Sequence, residues 1–406
     1  MRRILPILLL ALIAACTKDK DPDRPAKLVA FPETLKIEKV WSEKVGGTKV
    51  PLRLGLALDV EGDTVYAAGE TGNIAAYSLR NGKKEWESRT KLPLGGSVGY
   101  ADGKIVIGTT DGDVLALDGH TGKRLWTANI VSEILAAPAV SARMVLVRGV
   151  DGKLHSLSMD DGHELWQQQQ SVPKLSLRGT ATPAIAGDVA VTGFDNGRVV
   201  ATALNDGSSV WETQLQLPAG KTDIDRLADV DTKAQIIGND VYLVGFQGKV
   251  AMMALDSGQI WWSHDTSSYH GVALDDDTIY VSTADGEVVA LKRHTGTEVW
   301  RQKALSHRGL SGPAVAGDAI VVADFQGYVH WMDRKTGALI GRIRAGKVRY
   351  TNPPVYSDGT LLLINDRGVL DAYRTTPAPA HMLSGAKPAP ASAPAPASAP
   401  PPKSGG

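Results

Sequence analysis

Thr110-Asp111-Gly112-Asp113-Val114-Leu115-Ala116-Leu117-Asp118, followed by Thr121-Gly122-Lys123-Arg124-Leu125-Trp126, is a unit that this chain repeats from end to end. A second clear copy is Ala284-Asp285-Gly286-Glu287-Val288-Val289-Ala290-Leu291 with Thr295-Gly296-Thr297-Glu298-Val299-Trp300. Each copy reads as an apolar strand, a glycine turn, another strand, then a Thr-Gly turn and a strand carrying tryptophan. The tryptophans fall at Trp41, Trp86, Trp126, Trp166, Trp211, Trp261 and Trp300, with separations of 45, 40, 40, 45, 50 and 39 residues. That is the period of a four-stranded propeller blade. The next position of the ladder is expected at Ile340, where the copy keeps Thr336-Gly337 and lacks the indole. A large flat side chain repeated once per blade belongs between adjacent blades, where it buries much area.

The hairpin glycines count the blades independently: Gly72, Gly112, Gly152, Gly197, Gly248, Gly286, Gly327 and Gly368. Each lies in a polar turn between alternating apolar runs, where glycine supplies the positive φ that tight hairpins require. The last copy has three strands, around Pro354-Val355-Tyr356, Leu361 to Ile364 and Val369 to Tyr373, and no fourth. Lys36-Ile37-Glu38-Lys39-Val40-Trp41 is an orphan fourth strand at the other end of the chain. Pairing the two closes the ring and leaves no open seam. The expected fold is therefore all-β, an eight-bladed β-propeller with four-stranded antiparallel blades over residues 35–374.

The ends have a different composition. Arg2 and Arg3 precede an apolar run from Ile4 to Ile13, and Ala14-Ala15 stand before the only cysteine, Cys16. A short apolar core with those flanks reads as a secretory signal over residues 1–15, too short for a membrane span. Ile13-Ala14-Ala15-Cys16 looks like a bacterial lipobox, which makes Cys16 the expected lipidation site. In lipoproteins of that kind Thr17, which is not aspartate, favours the outer membrane. Residues 16–34 then read as a flexible tether. From 375 to 406 the chain is mostly Pro, Ala and Ser, a composition that lacks the apolar bulk for a core and reads as a disordered tail. Lys plus Arg and Asp plus Glu number 44 each, so no basic excess exists to neutralise phosphates, and a nucleic-acid role is excluded.

Uniform blades say little about function, and departures from the repeat say more. Between a blade's tryptophan and the opening of the next blade, the spacing is 12 residues from Trp126 to Pro138 and 13 from Trp300 to Pro313. It grows to 17 from Trp166 to Pro183 and to 23 from Trp211 to Ala234. These stretched links follow one another, so they lie side by side on one face; a longer link also follows Trp41, through Gly46-Gly47-Thr48. The first link reads Val172-Pro173-Lys174-Leu175-Ser176-Leu177-Arg178-Gly179 and the second Asp223-Ile224-Asp225-Arg226-Leu227-Ala228-Asp229-Val230-Asp231. Leucines beside an arginine, with carboxylates next door, suit a protein-binding patch presented on a rigid scaffold.

Taken with the lipobox and the Trp-Gly blades, Leu175-Ser176-Leu177-Arg178-Gly179 and Asp225-Arg226-Leu227-Ala228-Asp229-Val230-Asp231 resemble the BamB family over roughly Cys16 to Tyr373. That family is the lipoprotein subunit of the outer-membrane β-barrel assembly machinery. The resemblance implies a non-catalytic scaffold, lipid-anchored to the outer membrane and facing the periplasm. It implies that Leu175, Leu177, Arg178, Asp229 and Asp231 bind the POTRA domains of BamA, and that unfolded outer-membrane proteins are a further class of partner. The Pro/Ala tail departs from the family core.

Two rival classes use similar rings. A quinoprotein-type periplasmic dehydrogenase is usually longer and often carries an adjacent-cysteine disulfide beside its cofactor, which a single cysteine excludes. The acidic residues mostly sit in turns such as Asp111-Gly112-Asp113, where they cap hairpins. The nine histidines are scattered, and no phosphate loop or nucleophile elbow appears, so no cofactor, metal or catalytic residue is expected. A cell-wall polysaccharide-binding propeller would want a basic or aromatic groove that the sequence does not display.

Overall fold

The computed structural model describes residues 23–46, 58–171, 181–217, 221–222 and 228–378. Within them the chain forms eight sheets, each of four antiparallel strands. Blade one runs Leu58–Glu61, Thr64–Gly69, Asn73–Ser78 and Lys84–Arg89. Blades two to seven open at Gly99–Ala101, Ala139–Val140, Ala184–Ala186, Gln235–Ile237, Ala273–Leu274 and Ala314–Ala316. The first strands of neighbouring blades approach one another around a central channel of about 1800 Å³. In each blade the two middle strands are the apolar ones and are buried on both faces, as in Val65–Ala68 and Ile74–Ala76. The outer fourth strand is polar and alternately exposed, as in Lys84–Arg89. Blades one to seven each carry a bulge where the third strand meets the fourth, which twists the outer edge away from strand-by-strand association.

Blade eight consists of Val355–Ser357, Thr360–Ile364, Val369–Pro377 and, from the other end of the chain, Leu35–Lys44. The seam pairs Leu35 with Pro377 at one end and Lys44 with Val369 at the other, shifting register once between Lys39 and Trp41. Closure is thus as the sequence implies, and the last strand continues three residues past position 374.

The links between blades and the turns between second and third strands share one face of the ring. The start of a link is tied back to the adjoining turn in several blades: Thr90 N–H donates to the Gly72 carbonyl, Ile130 to Gly112, Gln170 to Gly152, Leu215 to Gly197 and Ala345 to Gly327. Seven of the eight hairpin glycines have positive φ, as expected. Gly248 does not; in that turn Gln247 takes the left-handed conformation, with φ 51°.

Adjacent blades are joined by one contact made seven times. The indole of a fourth-strand tryptophan lies on the glycine of the next blade's last turn, and its Nε1–H donates to a backbone carbonyl there. The acceptors are Leu79 for Trp41, Gly119 for Trp86, Met159 for Trp126, Leu204 for Trp166, Leu255 for Trp211, Arg293 for Trp262 and Arg334 for Trp300, at 2.7–3.0 Å. A side chain on the turn glycine would collide with the ring: a Cβ on Gly122 would sit 2.3 Å from Trp86. Two expected ladder positions are corrected by this geometry. In blade five the ladder residue is Trp262, which pairs across the sheet with Met252, and Trp261 is 59% exposed on the outer surface. In blade seven the equivalent of the tryptophan is Gly341, opposite Trp331, rather than Ile340. The physical reason for the loss is closure. Blade eight takes its fourth strand from the N-terminus, so it has no third-to-fourth turn to receive an indole. Leu35, Ile37 and Trp331 pack over Gly341 instead.

The stretch expected to be a flexible tether is partly bound. Ala26 N–H donates to the Ser306 carbonyl at 2.9 Å and Thr34 N–H to that of Ile340 at 2.9 Å. Arg308 donates to the Ala26 carbonyl and Arg342 to that of Val29, while the Arg342 guanidinium covers the Phe31 ring at 4.7 Å. Leu28 packs against the apolar core between blades six and seven. Beneath this segment lies a buried network in which Asp324 accepts from Arg308 and contacts His330, and Arg342 reaches His330 in turn. Burial lowers the His330 pKa against the pull of Asp324, which favours the neutral ring. Residues 1–22, with the expected signal and Cys16, and residues 379–406 of the expected tail lie outside the described residues.

The corrected ladder makes a prediction. Trp262→Ala should lower stability by about 3–5 kcal/mol through lost burial and a cavity between blades. Trp261→Ala should stay within about 0.5 kcal/mol of the parent protein. Paired thermal or denaturant melts check this, and a larger cost at Trp261 would contradict it.

Candidate functional site

The stretched link between blades four and five ends in Ala228-Asp229-Val230-Asp231-Thr232, and this segment is threaded between two hairpins. Val230 N–H donates to the Phe194 carbonyl in the turn of blade four. Phe246 N–H, in the turn of blade five, donates to the Asp229 carbonyl at 2.8 Å. The Thr232 hydroxyl donates to Val244 at 3.0 Å. Val230 is buried in the core shared by blades four and five, and its backbone lies so close to Gly193 that any side chain there would strike the Val230 carbonyl. This local fit fixes the end of the link.

Burying Val230 carries its neighbours down with it. Asp229 is 1% exposed, and both carboxylate oxygens of Asp231 are closed off from solvent. The expected charged rim of a surface patch is therefore, at these two positions, a buried acidic pair. Asp195 from the turn of blade four joins them, and an arginine of blade three reaches in beside it. Arg148, 2% exposed, donates to Asp195 at 2.5 Å and to the Gly193 carbonyl at 2.7 Å. Its guanidinium also covers the Phe194 ring at 4.5 Å. One ion pair thus ties blade three to blade four directly under the link into blade five.

Burial pushes the Asp231 carboxyl well above the usual carboxylate range; the nearby charges of Asp195 and Asp229 raise it further, and Arg148 pulls it back. Buried carboxylates gathered at the described end of this link give it a negative potential, which suits a cationic partner. Leu175, Leu177 and Arg178, expected in the same surface, lie outside the described residues, as does Cys16.

Sequence reasoning overlooked Arg148, Phe194 and Asp195. A signal was present for the first. The second strands of the blades end in Gly69, Gly108, Arg148, Gly193, Val244, Ser282, Ala323 and Ile364. A lone charged residue in a row of small and apolar ones marks the blade where the repeat was altered.

The chain was compared with known proteins. A family model described as outer membrane protein assembly factor BamB matches residues 27–93, 71–302 and 284–378. Outer membrane protein assembly factor BamB of Pseudomonas aeruginosa is 36% identical over 366 residues, 90% of this chain and 96% of that protein. Its counterpart in Xanthomonas campestris is 34% identical over 87% of this chain and 90% of that protein. Among solved structures, BamB from Moraxella catarrhalis superposes with a TM-score of 0.76 at 28% identity, covering 84% of this chain and all of that one.

The acidic cluster sets a pH dependence. The folded Asp231 carboxyl holds its proton to higher pH than an unfolded one, at about 3.9, so the folded state binds the extra proton. Its favourable contribution is complete below the unfolded pKa and is lost as pH rises through the folded value. Asp231→Asn removes that loss, and the variant should gain stability relative to the parent as pH rises from about 4 towards neutral. Denaturant melts across this range check it; a stability difference that stays flat or falls would contradict it.

Proposed function

This chain belongs to the BamB family of outer membrane protein assembly factors, and from that membership we propose that it is a non-catalytic scaffold that docks the periplasmic POTRA domains of BamA. The observation that carries the proposal is the threaded link of blade five. Two consecutive stretched links interrupt a uniform ring on one face, and the end of the second is held by hydrogen bonds to the hairpins of blades four and five. Residues that bind a partner tightly gain from being held in place before the partner arrives, because less freedom is lost on binding. Asp229 and Asp231 act in this reading from beneath, shaping the link and setting its negative potential. Leu175, Leu177 and Arg178 supply the contact from the adjoining link.

Anchoring completes the arrangement. Cys16 carries the lipid, the ring faces the periplasm from the outer membrane, and the scaffold holds the POTRA domains in a productive arrangement during barrel insertion. Handing over unfolded barrel strands along the outer edges is a weaker second role, since the fourth strands are polar and bulged.

A binding measurement tests the proposal. Arg178→Ala combined with Asp229→Asn should weaken capture of BamA by at least about tenfold, the scale of one lost charge-assisted contact. A thermal melt of the same preparation establishes that the ring is folded. Undiminished co-purification by a folded double variant would overturn the site.

A further inference from the structure

On the face that carries the links, the described residues include three strongly exposed large apolar side chains: Val131 at 91%, Leu217 at 72% and Tyr269 at 51%. The other exposed apolar residues stand elsewhere, for example Leu125, Leu165, Val210, Trp261 and Val299 on outer fourth strands. Val131 sits in the link from blade two to three, Leu217 in that from four to five, and Tyr269 in that from five to six. All three thus fall in one half of the ring, and the two stretched links lie within the arc that they bound. The link from blade six to seven is occupied by the chain's own N-terminal segment, through Ala26 on Ser306 and Arg308.

Tyr269 is the best built of the three. Its ring stacks on Phe246 with centroids 4.3 Å apart and planes at 22°. Phe246 is the residue whose backbone N–H holds the Asp229 carbonyl, so the aromatic pair and the aspartate segment are one bonded unit. The link carrying Tyr269 is itself fixed. The Ser268 hydroxyl donates to Ser282 at 2.6 Å, the His270 N–H donates to the Ser268 hydroxyl, and Gln247 N–H donates to Ser267. A half-exposed aromatic on a rigid base offers large contact area at small entropic cost, the profile of an interface hot spot.

Val131 supplies a second observation. It is β-branched, yet its φ is 58°, a left-handed conformation that such residues avoid. The Asn129 side chain accepts its N–H at 2.8 Å and holds it there with the side chain outward. Lys91 takes the same conformation at the equivalent place in the preceding link, so what sets Val131 apart is a β-branched apolar side chain placed there and 91% exposed.

We propose that the partner-binding surface runs beyond the two stretched links, to Val131 on one side and Tyr269 on the other, with Tyr269 seated on Phe246 as its aromatic anchor. The proposal rests on the reading that BamA docks on this face. Its occupant is that same partner, because the anchor is continuous with the aspartate segment. All three side chains are exposed, so their substitution leaves the core intact.

The test measures affinity of the full-length chain for the purified periplasmic domains of BamA. Tyr269→Ala should weaken binding about 30-fold, as loss of a hot spot does, and Tyr269→Phe should retain it. Val131→Asn, which suits the left-handed conformation, should weaken binding a few-fold without lowering the melting temperature. Trp261→Ala, an exposed aromatic on the outer strand of blade five, should bind as the parent does. Unchanged affinity of Tyr269→Ala, or an equal loss for Trp261→Ala, overturns the proposal. If the Arg178→Ala, Asp229→Asn variant still loses binding while Tyr269→Ala does not, the extension fails and the docking reading survives.

Discussion

An indole lying on a glycine, with its N–H bonded to a carbonyl of the next blade, is the contact on which this ring depends. Each blade buries its middle strands against its neighbours, but sheets packed face to face could slide. The tryptophan removes that freedom, since its ring needs a turn without a side chain and its nitrogen needs one carbonyl at a defined place. Made seven times, it sets the spacing of the blades. At the eighth interface the N-terminal strand replaces the turn, so Gly341 stands where an indole would have no seat.

A ring locked in this way can tolerate changes in its links, and the changes are concentrated. Between blades three and five the links lengthen, a charged residue replaces a small one at Arg148, and three carboxylates are buried together. Burying charged groups is costly even when they are paired, and the cost is explained by what the cluster positions. Across the ring, the N-terminal segment lies along blades six and seven under Arg308 and Arg342. On one side of the link face the chain's own N-terminal segment occupies the link from blade six to seven, and on the other side apolar and aromatic side chains point outward.

Much of this architecture was legible in the sequence, because a repeat displays its period, its count and its missing strand directly. The errors have local causes. Trp261-Trp262 offers two candidates, and spacing between tryptophans cannot choose; the distance of four from the turn glycine, constant in Gly122 to Trp126 and Gly258 to Trp262, does choose. The burial of Asp229 and Asp231 was not legible, since a polar link between strands ordinarily reads as solvated, and only the packing of Val230 pulls it inward. Arg148 and Asp195 are distant in sequence and meet only because blades three and four are neighbours. The binding of Ala26 to Thr34 was hidden in a stretch with no periodicity, although Leu28 and Phe31 are its apolar contacts.

The central claim is that the face bearing the stretched links receives BamA. A structure of the full chain bound to the periplasmic domains of BamA tests it most directly. The account predicts POTRA density over the links between blades three and four and between four and five, touching Tyr269 and leaving the N-terminal segment uncovered. Density on the opposite face of the ring, or along the outer fourth strands, would contradict it.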